Sequence, residues 1–133
     1  MSSVLIDTSA WVQFFRHGEG PVSDEVARLI EADQAWTTGP VIAELLHGTR
    51  SDRERRELST LLTTLPYAEV LRDDWETTGD LLRRLREKGR TLPLSDALMA
   101  TVAKRLDLAV LTLDAHFDEL PAKRWAAPTQ SRP

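Results

Sequence analysis

Val4-Leu5-Ile6-Asp7-Thr8-Ser9 and, about a hundred residues later, Ala109-Val110-Leu111-Thr112-Leu113-Asp114 share one form: a short aliphatic run that ends on hydroxyl and acidic residues. A run of this kind, apolar at every position rather than at alternate ones, reads as a strand buried on both faces, as in a parallel sheet. Between the two runs the apolar residues fall mostly at helical spacing. Strand-like and helical periods that alternate along one chain indicate an α/β fold. In an open α/β sheet, ligands bind outside the carboxyl ends of the strands, where Asp7 and Asp114 would stand.

Two more acids sit where local structure changes. Glu44 lies in Val41-Ile42-Ala43-Glu44-Leu45-Leu46, expected early in a helix, and Asp96 opens the helical stretch Ser95 to Leu106. Asp7, Glu44, Asp96 and Asp114 are scattered through 133 residues, so only a fold could gather them.

The intervening elements follow from caps and breakers. Ser9 is expected to cap a short helix through Phe15, which His17-Gly18-Glu19-Gly20-Pro21 interrupts. Val22, Val26, Leu29 and Ile30 share one face of the next helix, and a strand follows at Ala35 to Thr37. Pro40 suits the first turn of the Glu44 helix, because its missing N–H would have no intrahelical partner there. Leu58, Leu61, Leu62 and Leu65 mark a helix from Asp52 that Pro66 closes. Ala68 to Leu71 reads as a strand. Asp73 then caps a helix through Lys88 with Trp75, Leu81, Leu82 and Leu85 as its buried stripe, and Gly89 stops it. These two helices are candidates for an arm. After Leu120, Pro121, Pro128 and Pro133 punctuate an ending expected to be loose, with Trp125 on a possible last edge strand. The expectation is one domain over residues 1–133, its core in 1–120, with helices on both faces of a mainly parallel sheet of four to five strands.

Composition narrows the chemistry. A chain with 41% hydrophobic and 29% charged residues has the balance of an ordinary globule. No apolar run approaches the roughly 20 residues that span a bilayer, so the expected compartment is the cytoplasm, with no membrane partner. Cysteine is absent, which removes disulfides, thiolate metal sites and cysteine nucleophiles. The net charge of −4 argues against binding nucleic acid through overall charge. Basic residues do cluster at Arg50, Arg53, Arg55 and Arg56, and again at Arg83, Arg84, Arg86, Lys88 and Arg90. Helical runs of this kind are usually solvated faces.

Convergent carboxylates suit Mg²⁺ or Mn²⁺, which prefer oxygen ligands. Crowded like charges raise one another's pKa, so such a cluster is costly without cations and sensible with them. One or two ions held there would activate water and stabilise the leaving oxygen of a phosphodiester. Taken singly, Asp7 and Asp114 also fit turn roles, and Asp96 fits a first-turn acid favoured by the helix dipole. His17, His47 and His116 belong to no spaced histidine motif and read as surface or loop residues, with His116 nearest the proposed site. Trp11 and Trp75 fall on apolar helical faces, which suits core or subunit contacts better than base stacking.

Four blocks in order carry a resemblance. Leu5-Ile6-Asp7-Thr8-Ser9-Ala10-Trp11, Pro40-Val41-Ile42-Ala43-Glu44-Leu45, Leu92-Pro93-Leu94-Ser95-Asp96-Ala97-Leu98-Met99-Ala100 and Val110-Leu111-Thr112-Leu113-Asp114-Ala115-His116-Phe117 resemble PIN domains, and more closely the VapC toxins of type II toxin-antitoxin systems. The resemblance implies a PIN-like three-layer α/β/α sandwich and a metal-dependent endoribonuclease. Asp7, Glu44, Asp96 and Asp114 would bind Mg²⁺ or Mn²⁺, with Asp7 and Asp96 as direct ligands and Glu44 and Asp114 acting through water. Ser9 and Thr112 would support them, and Asp118 is the alternative to Asp114. Further implications are an RNA substrate, a VapB-like antitoxin in a groove near the acids, and a homodimer, with Trp11, Phe14 and Phe15 as candidate contacts. Two competing readings remain. A phospho-receiver domain would want paired acids after the first strand, where Thr8-Ser9 stands, and a lysine after a late strand. An inactive PIN-like binding module would be signalled by a missing acid, and all four are present.

Overall fold

In the computed structural model, which describes residues 2–127, the aliphatic run Val4–Ile6 forms strand β1 at the centre of the sheet, wholly buried. It pairs in parallel with β2, Ala35–Thr38, on one side and with β4, Ala109–Leu111, on the other. β3, Tyr67–Ala68, extends the sheet beyond β2, giving the order β3-β2-β1-β4 with every pair parallel. Leu5 stands opposite Trp36 in one neighbour and Val110 in the other.

Six helices make the connections: α1 Thr8–Arg16, α2 Pro21–Glu31, α3 Gly39–His47, α4 Asp52–Thr63, α5 Arg72–Glu87 and α6 Leu94–Arg105. Parallel crossovers are right-handed, so the steps from β1 to β2 to β3 place α1–α4 on one face. The return from β3 across to β4 places α5 and α6 on the other. The packing of α1 on α2 and α3, and of α5 on α6, agrees with that layering. Every residue of α6 from Asp96 to Ala103 is buried, because its small side chains let it press closely on the sheet.

Several local expectations give way to tertiary contacts. α1 begins at Thr8 with Asp7 in the cap position, and the Ser9 hydroxyl is engaged with Asp7 and Leu113 instead of capping. Glu44 is five residues into α3, in its second turn rather than at its start. The strand expected at Ala68 to Leu71 is shorter and earlier, at Tyr67–Ala68. Asp73 does not cap α5; the Leu71 N–H donates to Asp74 Oδ2 at 2.8 Å. Trp75 is 52% exposed, and α5 buries Asp74 and Thr78 in its place.

Polar contacts therefore hold α5 against α6. Thr78 donates to the Thr101 hydroxyl at 2.9 Å, and Thr101 donates to the Ala97 carbonyl at 2.9 Å. Arg105 grips both oxygens of Asp74, each at 2.8 Å. α4 packs on α3 and α5 on α6. Gly89, at φ 79°, fits the helix stop expected of it.

Trp11 is fully buried, so it lies in the core and leaves the set of candidate subunit contacts. Beyond β4, Arg124 forms a single parallel bridge with Val110, in which Val110 N donates to Lys123 O and Trp125 N to Val110 O, both at 2.8 Å. The Trp125 indole donates to Glu25 Oε2 at 2.7 Å and ties this segment to α2. The expected tail reaches residues 128–133, which lie outside the described residues. No helix among the described residues is long and apolar enough to cross a membrane.

Candidate metal centre

The parallel pairing of β1 with β4 brings the ends of both strands to one edge, as the sequence pattern required. Asp7 N donates to Leu111 O at 2.9 Å, continuing the β1-β4 pairing by one residue. Although Asp7 occupies the cap position of α1, its side chain makes no cap bond. Its carboxylate turns to other partners. Ser9 Oγ and Thr112 Oγ1 both donate to Asp7 Oδ2, each at 2.7 Å. Each hydroxyl has one hydrogen, committed to Asp7, so each accepts elsewhere: Ser9 from Leu113 N at 2.9 Å and Thr112 from Asp114 N at 2.9 Å. Both donors fall on Oδ2. Oδ1 accepts neither of them.

Asp96, in the first turn of α6, is only 8% exposed. Asp114 caps a 3₁₀ turn, Ala115–Glu119, and its Oδ1 accepts the His116 N–H at 2.9 Å. That turn swings the His116 ring over the acids. Its Nδ1 lies 3.0 Å from Asp96 Oδ2 and 3.0 Å from Asp114 Oδ1. Among the described residues, Asp96, Asp114 and His116 form the one histidine-carboxylate group whose ligand atoms all lie within 4.8 Å of one another. Asp118 points elsewhere, paired with Arg124 at 2.6 Å, and Arg124 also donates to Thr112 O at 3.1 Å.

Charge binds the remaining acids to this group. The Asp96 carboxyl is pushed up to about 6, first by burial and then by the charges of Asp114 and Asp7, against a hydrogen bond from His116 that lowers it. Glu44 is raised by lost hydration and by the Asp7 charge. The buried Thr8 hydroxyl, which has no partner in hydrogen-bond geometry, lies on the Glu44 side and opposes that rise. For Asp114, burial is the largest single influence and raises the carboxyl. The His116 N–H, the His116 charge and the Asp96 hydrogen bond together outweigh it and leave Asp114 below its ordinary range. His116 is itself raised, chiefly by its bond to Asp96.

The predicted acids thus converge unequally: Asp96 and Asp114 in contact with one imidazole, and Asp7, under its hydroxyls, near enough for its charge to be felt by Asp96 and by Glu44 on α3. Two oxygen donors and one nitrogen within such spacing fit a Mg²⁺- or Mn²⁺-type ion. Sequence reasoning set His116 aside and did not single out Arg124. The only signal for His116 was its place two residues after Asp114 in Asp114-Ala115-His116. Beside Glu44, a groove of about 440 Å³ runs along Val12, Phe15, Arg16, Leu45, Arg50 and Leu58.

Comparison with known proteins agrees with this architecture. The PIN domain family model matches residues 4–123. Ribonuclease VapC11 of Mycobacterium tuberculosis and VapC ribonuclease Mb1587 of Mycobacterium bovis are each 34% identical over 121 residues, covering 86% of this chain and 89% of each relative. Among solved structures, the chain is similar to VapBC2 from Rickettsia felis bound to a promoter DNA fragment, with TM-score 0.76 and 18% identity over 92% of this chain and 98% of that one. It is also similar to the sarcin-ricin loop cleaving toxin VapC20 of Mycobacterium tuberculosis, with TM-score 0.73 and 22% identity over 95% and 100% of the two chains.

Proposed function

The chain belongs to the PIN domain family, and from that premise we propose that it is a metal-dependent endoribonuclease acting as the toxin of a VapBC-type toxin-antitoxin pair. The observation that carries the reading is the convergence of Asp7, Asp96 and Asp114 at the carboxyl edge of β1 and β4 in a chain matched along most of its length by VapC ribonucleases. A phospho-receiver finds no such support.

Asp7, Asp96 and, in place of the water-mediated role expected for it, Asp114 are proposed to hold Mg²⁺ or Mn²⁺, with Glu44 acting through water. When bound, the ion supplies an activated water and charge neutralisation at the scissile phosphodiester. The residues of the chain do the rest. Ser9 and Thr112 fix the direction of the Asp7 carboxylate, burial keeps Asp96 from being satisfied by solvent, and Glu44, whose carboxyl feels the Asp7 charge, would orient a water there. Arg16 and Arg50 supply positive charge beside an otherwise acidic edge, where an RNA backbone needs it. Arg53 and Arg83 are less available, since Glu57 and Glu87 pair with them.

The groove beside Glu44 is the proposed seat of the antitoxin, because Phe15, Val12, Leu45 and Leu58 offer an apolar floor next to the acids. A basic side chain of that partner would compete with metal and RNA for the same charge. The expected homodimer is proposed to use a different face. Tyr67, Trp75 and Leu94 are 46%, 52% and 54% exposed and line one apolar groove at the start of α3, α5 and α6.

The test is cleavage of cellular RNA by the purified protein, with and without EDTA, beside Asp7→Asn and Asp96→Asn. Cleavage that stops in EDTA and in both variants supports the reading; cleavage indifferent to all three sinks it. Growth arrest on expression, relieved by either substitution, distinguishes a toxin from a housekeeping nuclease.

A further inference from the structure

His116 is the nitrogen donor in an otherwise oxygen-lined centre. Its ring is 44% exposed and has solvent within reach, yet Nδ1 is directed inward to Asp96 Oδ2 and Asp114 Oδ1, 3.0 Å from each. The backbone reinforces this, since His116 N donates to Asp114 Oδ1 at 2.9 Å and fixes the turn that carries the ring. These contacts bring one nitrogen and two carboxylate oxygens within reach of a single ion.

We infer that His116 Nδ1 is a further ligand, beside the acids already proposed, in the centre and makes that centre favour Mn²⁺ over Mg²⁺. The inference rests on the reading that these acids hold a divalent ion. Mg²⁺ takes oxygen ligands and water and gains little from imidazole, whereas affinity for a nitrogen donor rises along the divalent transition metals that begin with Mn²⁺. Nδ1 ligates through its lone pair, which leaves the ring proton on Nε2. A purely oxygen-lined version of this site would discriminate less between the two ions.

The experiment is calorimetric titration of Mn²⁺ and of Mg²⁺ into the metal-stripped full chain, comparing wild type, His116→Asn, His116→Ala and Asp96→Asn, with thermal melts to establish folding. His116→Asn can place an amide oxygen near the position of Nδ1. It is expected to weaken Mn²⁺ about tenfold while Mg²⁺ changes less than about threefold, so that the Mn²⁺ preference collapses. His116→Ala should lose Mn²⁺ affinity at least as far. An unchanged Mn²⁺ to Mg²⁺ ratio in both His116 variants, with both ions weakened in Asp96→Asn, overturns this inference and leaves the metal reading standing. Failure of wild type to bind either ion overturns both. A second measurement needs no variant: substoichiometric Mn²⁺ should broaden the NMR signals of the His116 ring before those of His17 and His47. Equal broadening of all three contradicts ligation by His116.

Discussion

Thr112 donates its hydroxyl hydrogen to Asp7 Oδ2 at 2.7 Å, a bond between residues 105 positions apart that locks the end of β4 to the end of β1. Ser9 donates to the same oxygen from α1. Asp7 is therefore aimed by two hydroxyls from two elements, and the aim is as much a property of the site as the charge.

Thr112→Val keeps the shape of the side chain and removes the donor. It is predicted to lower RNA cleavage roughly tenfold while costing about 1–2 kcal/mol of stability through the unpaired Asp114 N–H and carboxylate. Ser9→Ala should act in the same direction. Because both bonds serve one oxygen, the double variant should lose less than the product of the single losses. Single-turnover cleavage beside urea unfolding checks this, and wild-type cleavage in both single variants would refute it.

Asp96 sets a pH dependence with a definite sign. Its carboxyl stands at about 6 in the folded protein, against about 3.9 in an unfolded chain, so the native state holds the proton more tightly. Without metal, this residue's contribution to stability falls as pH rises from about 4 to about 6, by up to roughly 2–3 kcal/mol, and then levels. Mn²⁺ needs the deprotonated form, so binding and cleavage should weaken as pH drops below about 6, and saturating Mn²⁺ should restore stability at pH 7. The difference in urea stability between wild type and Asp96→Asn at several pH values, with and without Mn²⁺, isolates the effect. A difference independent of pH would contradict it.

Asp74 provides a purely structural comparison. Its carboxyl is held below the ordinary range first by the Arg105 hydrogen bond, while burial opposes. That stabilisation is present above the unfolded value near 3.9 and is lost as pH falls through the lower folded value. Arg105→Ala leaves the buried Asp74 carboxylate with only the Leu71 N–H and no counter-charge, and is predicted to cost about 2–3 kcal/mol with cleavage per folded molecule unchanged. Denaturant melts and active-site-normalised rates together test this. A loss of activity without a loss of stability would reverse the assignment.

Trp75→Glu tests the proposed dimer face. Since the side chain is half exposed in the single chain, the substitution should leave the melting temperature nearly unchanged at low concentration and shift sedimentation toward monomer. Sedimentation identical to wild type would remove the Tyr67, Trp75 and Leu94 groove from the interface.

Much of this was legible before folding because strand ends are written locally. Val4-Leu5-Ile6 and Ala109-Val110-Leu111 announce buried parallel strands, and an acid after each must lie at the ligand-binding edge if the strands are neighbours. Where reading failed, the deciding contact was distant. Trp75 fits an apolar stripe, but Arg105, Thr101 and Thr78 hold α5 to α6 through polar bonds and leave the indole outside. Ser9 had the right chemistry for a cap, yet Asp7 and Leu113 claim its hydroxyl. Nothing local marks His116, which stands at no ligand spacing from another histidine. Its neighbours here are carboxylates, one of them 20 residues earlier on α6 and brought close only by the turn after β4.

The pairing of β1 with β4 also carries a lesson in timing. A ribosome delivers Asp7 about a hundred residues before the strand that must lie against it, the hydroxyl that aims it and the imidazole between the other acids. A growing chain therefore carries an incomplete centre until β4 has been made. Under the proposed reading of a ribonuclease toxin, that order delays the first cut until β4 has docked beside β1.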